Sequence, residues 1–289
     1  LKKIISILFT IFLLSLLMAC NSSNQAEEAN QNDNEVEEEP QIDEESQEHE
    51  ENTEEPMEEE NDADNEVEEE NIPVENQEKE KLYEVAGNWD IVPLNESANE
   101  DIVLLTIDDA PDGHAVEMAK TLKELNASAI FFVNGHFLQS DEQKEALKTI
   151  HEMGFAIGNH TFNHQRLSEV DEATQREEID KLSDLIEEIV GERPVFFRAP
   201  NGVNTDFATK HVEEQGMLLM NWTYGYDWEA DYRSKEAIAD IMVNTDLLHA
   251  GANLLMHDRE WTAEGLEDIV IGLREKGYEM VDPELIKTP

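Results

Sequence analysis

Cysteine occurs once in the 289 residues, at Cys20, so no disulfide can form within the chain. Basic side chains are scarce as well: 20 Lys plus Arg stand against 69 Asp plus Glu, a formal charge of −49. A chain so poor in cations does not bind nucleic acid through its phosphates, which need Lys and Arg. Anionic membranes and other polyanions are equally poor partners unless something else anchors the protein. There is no internal repeat, and nothing in the sequence implies a protein partner. Residues 21–80 have almost no large apolar side chains and hold 27 acidic residues against one lysine, Lys79. Such a segment buries too little surface to offset its ordering entropy, and its like charges extend it. A disordered acidic stalk is expected there, with a cation-binding or partner-binding tail as the alternative. From residue 81 to 289, 42 acids face 17 Lys plus Arg, a net of −25, so the remainder is acidic too. That charge bears on solubility or a salty or alkaline habitat, not on a reaction.

What the sequence does have begins at Lys2-Lys3, followed by an apolar run from Ile4 to Met18. A short basic stretch and then about 15 apolar residues is too short for a comfortable membrane span and has the form of a signal peptide. The run ends Leu17-Met18-Ala19-Cys20, which resembles the lipobox of bacterial lipoproteins. That resemblance implies a signal peptide over residues 1–19 and a lipidated Cys20 as mature N-terminus. It places the protein on the extracellular face of a bacterial membrane, held by that lipid. An ordinary signal peptide with an incidental cysteine is the alternative. The first residue is Leu1, which an alternative start codon or a trimmed sequence would explain equally well.

From about Leu82 short β-rich runs alternate with amphipathic stretches. The strand candidates are Ile102–Ile107, Ala129–Val133, Phe155–Gly158, Val195–Arg198, Met217–Trp222, Asn253–His257 and Tyr278–Val281. Helical segments fall between them at Ala115–Leu125, Asp141–Met153, Asp171–Val190, Thr205–Gln215, Ser234–Leu248 and Thr262–Lys276. Asp171 and Ser234 suit N-caps; Gly154, Gly191, Gly216 and Gly277 suit the position after a helix. Seven strands alternating with helices predict an α/β fold with a parallel sheet over residues 81–289. Polar residues at strand ends favour a distorted (β/α) barrel, where chemistry gathers at the carboxyl ends. Residues 81–100 are a lead-in segment packing on the barrel.

The unusual residues fall at those ends. Thr106-Ile107-Asp108-Asp109-Ala110-Pro111 follows an apolar run. Neighbours on a strand point to opposite sides, so the two carboxylates can reach different targets, one a metal and the other a proton. A solvated turn is the alternative. Gly158-Asn159-His160-Thr161-Phe162-Asn163-His164 carries two imidazoles four apart, which on a helical turn can share a metal. Two His plus one Asp, with a position left for water, is the pattern of a catalytic zinc. Phe197-Arg198-Ala199-Pro200-Asn201-Gly202 offers a cation for a carboxylate and a tight turn that can present a backbone N–H. Asp227-Trp228 sits among Trp222, Tyr224 and Tyr226, an aromatic cluster suited either to packing or to the faces of sugars. Leu255-Met256-His257-Asp258 ends a strand; with Asp227 as partner, the His257 pKa would rise and make an imidazolium available at neutral pH, as a general acid needs.

These five motifs, in this order, resemble the polysaccharide deacetylase family, carbohydrate esterase family 4, over roughly residues 100–282. The resemblance implies a distorted (β/α) barrel and metal-dependent hydrolysis of N-acetyl groups. It implies Asp108 as general base and Arg198 as its partner. Asp109, His160 and His164 become the metal ligands, and the Asn201 N–H the oxyanion contact. Asp227 tunes His257, which is the acid, while Trp228 and Leu255 line the acetyl pocket. Zinc is the first choice of metal, with cobalt or nickel also suited to such ligands. The substrate implied is an N-acetylglucosamine polymer, with peptidoglycan ahead of chitin because an anchored enzyme meets the wall first. An O-acetyl xylan-type esterase and a non-catalytic glycan-binding lipoprotein are the rival readings. The sequence departs from the family pattern at Ile107 and Ala110 (usually Phe and Gly), at Asn201 (often aromatic) and at Tyr224 (often Asp), which bears on substrate choice. His49, His114, His136, His151, His211 and His249 match no motif and are expected at the surface or in packing.

Overall fold

The computed structural model describes residues 79–289; the expected signal peptide, Cys20, His49 and nearly all of the expected acidic stalk lie outside the described residues. The elements are β1 (Tyr83–Val85), β2 (Ile91–Pro93), β3 (Ile102–Ala110), α1 (Ala115–Glu124), β4 (Ile130–Val133), α2 (Asp141–Glu152), β5 (Ala156–Asn159) and α3 (Glu172–Val190). They continue as β6 (Phe196–Phe197), α4 (Asp206–Glu214), β7 (Leu218–Leu219), α5 (Lys235–Asn244), β8 (Asn253–His257), α6 (Glu260–Glu275) and β9 (Glu279–Met280). Strands β7, β6, β5, β4, β3 and β8 lie side by side in that order, all parallel, and β9 pairs with the start of β3. One parallel bridge, Tyr224 to Leu254, joins the chain after β7 to β8. The sheet of seven parallel strands thus curls into the expected distorted barrel.

Alternation along the strands decides what faces the barrel interior. Ile102 and Leu104 of β3, with Ile130 and Phe132 of β4, belong to the inner cluster. Val103, Leu105 and Ile107 face the helices instead, packing with Met118, Leu122, Leu182, Ile269 and others. The same parity carries Thr106 and Asp108 inward at the far end of β3. A strand buried on both faces reads as a continuous apolar run, as Ile102–Leu105 does.

Several boundaries differ from the sequence-based expectation. Strands β6, β7 and β9 have two residues each where about four to six were expected. Helix α5 stops at Asn244 rather than Leu248, because Thr245 turns extended at φ −68° and ψ 146° and takes a 2.7 Å hydrogen bond with the Tyr226 hydroxyl. Helix α6 starts two residues early, at Glu260. The lead-in segment forms an antiparallel hairpin, β1 with β2, whose Tyr83 and Ile91 join the inner cluster. Caps are where expected: Asp171 and Ser234 accept N–H bonds from the first turns of α3 and α5, and Gly191 ends α3 in the left-handed region at φ 85°.

Candidate active site

Asp108 and His257 are direct partners in the parallel register of β3 and β8. A base candidate and an acid candidate are thereby set side by side by a backbone ladder, and a one-residue slip would turn either away. Both line a cavity of ≈ 460 Å³ at the carboxyl ends of the strands, together with Asp109, His160, His164, Asn201, Asp227, Trp228 and Leu255. Trp222 and Arg259 complete the wall.

Asp109 does not follow strand parity. Its φ is +62°, and the β3–β4 register shifts between Ile107 and Ala110. This local bulge corrects the expectation that the two neighbouring carboxylates point to opposite sides: both enter the same cavity. They nevertheless reach different partners. Asp108 is 2% exposed, and its Oδ1 takes a 2.7 Å charge-assisted bond from Arg198 Nη1. Asp109 turns Oδ1 toward His164 Nε2 at 3.6 Å and His160 Nε2 at 4.0 Å, and Oδ2 to Arg259 Nη2 at 2.7 Å. Burial alone would raise the Asp109 carboxyl; the imidazoles and Arg259 around it outweigh that and hold it below the usual carboxylate range.

The donors fit a divalent metal. Asp109, His160 and His164 offer one ligand atom each, all within 4.8 Å of one another. Ligands at tetrahedral zinc stand roughly 3.3 Å apart, so a small contraction suffices. His160 Nδ1 lies 2.7 Å from the Arg198 carbonyl, which can only accept. That bond places the proton on Nδ1 and leaves the Nε2 lone pair facing Asp109. Burial pushes the His160 imidazole below its ordinary value, toward the neutral form that binds metal. Asp108 Oδ2 is also 3.5 Å from His160 Nε2, yet only Asp109 is shared by both imidazoles.

The opposite wall is built around Asp227, which is fully buried. Its oxygens accept the His257 N–H at 2.6 Å, the Thr262 hydroxyl at 2.9 Å and His257 Nδ1 at 2.7 Å. Burial works against a charge on His257, but the Asp227 bond, and then the charges of Asp227, Asp108 and Asp109, raise its pKa above the ordinary imidazole value. With Nδ1 committed to Asp227, Nε2 is the nitrogen left to donate a proton. Trp228, 43% exposed, sets its ring edge-on to His257 with centroids 5.7 Å apart. Asn201 holds a left-handed turn, φ 57° and ψ 18°, at the rim.

Arg198 lies beneath the cavity, and Tyr224 points away from it, its hydroxyl bonded to the Met242 carbonyl at 2.7 Å in α5. Among the described residues, none of the unmatched histidines lines the cavity. His211 is buried between Asp180 and Arg176, and His249 is an exposed partner of Asp90. Arg259 belongs to none of the sequence motifs. Its one signal was a cation two residues after His257, at a strand end already singled out.

A family model described as polysaccharide deacetylase matches residues 95–220. A peptidoglycan-N-acetylglucosamine deacetylase of Bacillus cereus is 31% identical over 194 residues, covering 63% of this chain and 86% of that protein. The peptidoglycan-N-acetylmuramic acid deacetylase PdaA of Bacillus subtilis is 28% identical over 188 residues, covering 63% of this chain and 70% of that one. The solved structure of peptidoglycan deacetylase PdaC from Bacillus subtilis matches with a TM-score of 0.58 at 28% identity, covering 64% of this chain and 89% of that one. The chain belongs to the polysaccharide deacetylase family.

Replacing Asp227 by Asn removes the charge that favours the imidazolium, so the His257 pKa falls. Activity that needs protonated His257 then declines at lower pH, and the alkaline limb of the rate profile moves toward acid. The pair's contribution to stability has the same sign. It is complete below the ordinary imidazole pKa and is lost as pH rises through the raised one. A D227N rate profile with an unmoved alkaline limb would refute the assignment.

Proposed function

We propose that the chain hydrolyses the N-acetyl group of N-acetylglucosamine residues in a cell-wall polysaccharide, peptidoglycan before chitin. A fold of this family does not by itself confer turnover. The observation that supports the reading is the pairing of Asp108 with His257 across β3 and β8, a carboxylate and an imidazole on one cavity beside three side chains whose donor atoms could hold a metal ion. The relatives in Bacillus act on peptidoglycan sugars by name, which supports the wall as substrate.

Asp109, His160 and His164 would hold a divalent ion, zinc first, with cobalt or nickel also suited. Such an ion polarises a carbonyl and lowers the pKa of its water. The chain's own residues do the rest. Arg198 occupies one oxygen of Asp108, leaving Oδ2 to take the proton as water attacks the acetyl carbonyl. The Asn201 N–H, at the rim, donates to the oxygen on which negative charge develops. His257 Nε2 gives its proton to the nitrogen as the C–N bond breaks, so acetate and a free amine leave. Leu255 and the Trp228 edge wall the small space for the acetyl methyl. An amine leaves poorly without a proton, so His257 matters more for an amide than for an ester.

We propose also that the mature protein is anchored outside the cell by a lipid on Cys20, with the acidic segment as spacer. The Leu17-Met18-Ala19-Cys20 sequence supports this.

Acetate release from purified peptidoglycan and from chitin oligomers tests the activity. The wild-type protein should release acetate, a chelator should stop it, and D108N or H257A should lower turnover by about 10²–10⁴. Undiminished turnover in either variant, or release only from O-acetylated xylan, would sink the reading. For the anchor, Cys20→Ala should shift the protein from the membrane fraction to the medium; unchanged membrane retention would count against a lipid at that position.

A further inference from the structure

Two buried carboxylates outside the cavity grip the two loops that carry the metal-ligating side chains. Glu178 of α3 is 4% exposed. It accepts the Asn163 N–H and the Asn163 side-chain amide, both at 2.7 Å, and the Gln165 amide at 3.3 Å. Its own carbonyl takes the Phe162 N–H at 3.0 Å. All four bonds fall on the loop from His160 to Gln165. Asp258, just beyond β8, is 2% exposed. It accepts three successive backbone N–H groups, from Asp112 at 2.6 Å, Gly113 at 3.0 Å and His114 at 2.6 Å. These lie on the loop that leaves Asp109.

Three features set this pair apart from ordinary buried polar groups. Among the described residues neither carboxylate has a Lys, Arg or His within ion-pair distance, so each buried charge is met only by N–H donors; its retention is costly unless those bonds matter. Each spreads three donors over both oxygens, which an amide cannot do, because its NH₂ would face a donor. Finally, the loops contain Asp109, Thr161 and His164 at φ +62°, +68° and +55°. Residues with a Cβ keep that conformation only where the surroundings hold it.

We propose that Glu178 and Asp258 are positioning residues that hold the ligand loops in their left-handed conformations, each acting on its own loop. The metal half of this inference rests on the proposed function; the loop half does not. The test compares E178Q and D258N with H211A, which removes a buried polar group bonded to Arg176 and Asp180 of α3 but to neither loop. Amide hydrogen exchange of the metal-free proteins comes first. Exchange should quicken about tenfold or more at residues 160–165 in E178Q alone, and at residues 109–114 in D258N alone. Zinc titration comes second. Both variants should bind zinc about 10–100-fold more weakly, whereas H211A binds like wild type even if its Tm falls. Exchange unchanged in the matching loop, quickened everywhere alike, or quickened without weaker zinc binding would overturn the proposal. If wild type itself takes up no zinc, the functional reading fails and the exchange pattern alone decides the positioning role. Should E178Q not fold, N163A, which removes one of the same bonds from the exposed side of the loop, gives the same comparison.

Discussion

One buried guanidinium holds the site together. Arg198 donates to Asp108 Oδ1 at 2.7 Å, to the Thr106 hydroxyl at 2.8 Å and to the Asn221 carbonyl at 2.8 Å. It also reaches the Met220 carbonyl and Asn253 Oδ1, each at 3.4 Å. Its own carbonyl accepts from His160. The plane of the group lies over Phe132, 4.3 Å from the ring centroid. Through its side chain and its carbonyl, this one residue ties β3, the chain after β7, β8 and His160 into one frame. Breaking a buried pair by removing one partner costs about 3–5 kcal/mol, because the other charge is left uncompensated. The frame also tells two adjacent carboxylates apart. Asp108 spends one oxygen on Arg198 and keeps the other; Asp109 divides itself between the imidazoles and Arg259. Identical side chains thus acquire different tasks from their surroundings.

The range of each interaction decides whether the sequence makes it legible. Periodicity and caps are local, and the β/α alternation, the caps at Asp171 and Ser234 and the stop at Gly191 were legible from neighbouring residues. So was the gathering of unusual residues at strand ends, since barrel topology alone brings those ends together. Strand length was not legible. Val195–Arg198 and Met217–Trp222 read as full strands by composition, yet only two residues of each pair as strand in the curled sheet. The β1–β2 hairpin, with three-residue strands, is too short for any pattern to show.

The site's supports were hidden for a different reason. Asp258 acts on backbone N–H groups up to 146 residues away, and Glu178 on a loop 13 to 15 residues before it. Backbone donors, all three at Asp258 and one of the three at the Glu178 carboxylate, carry no signature in the sequence. The left-handed turn at Asp109 was equally invisible, since Asp tolerates that conformation without requiring it. A reading from strand parity alone would have sent Asp109 out of the cavity that its bulge turns it into.

In the proposed site Asp109, His160 and His164 share one divalent ion, and Asp108, beside them, takes no part in holding it. Calorimetric titration of the metal-free protein with zinc addresses that division directly. One ion per chain should bind; Asp109→Ala, His160→Ala and His164→Ala should each remove it, and Asp108→Asn should retain it. Zinc uptake that survived the loss of both histidines, or that vanished in Asp108→Asn alone, would contradict the account.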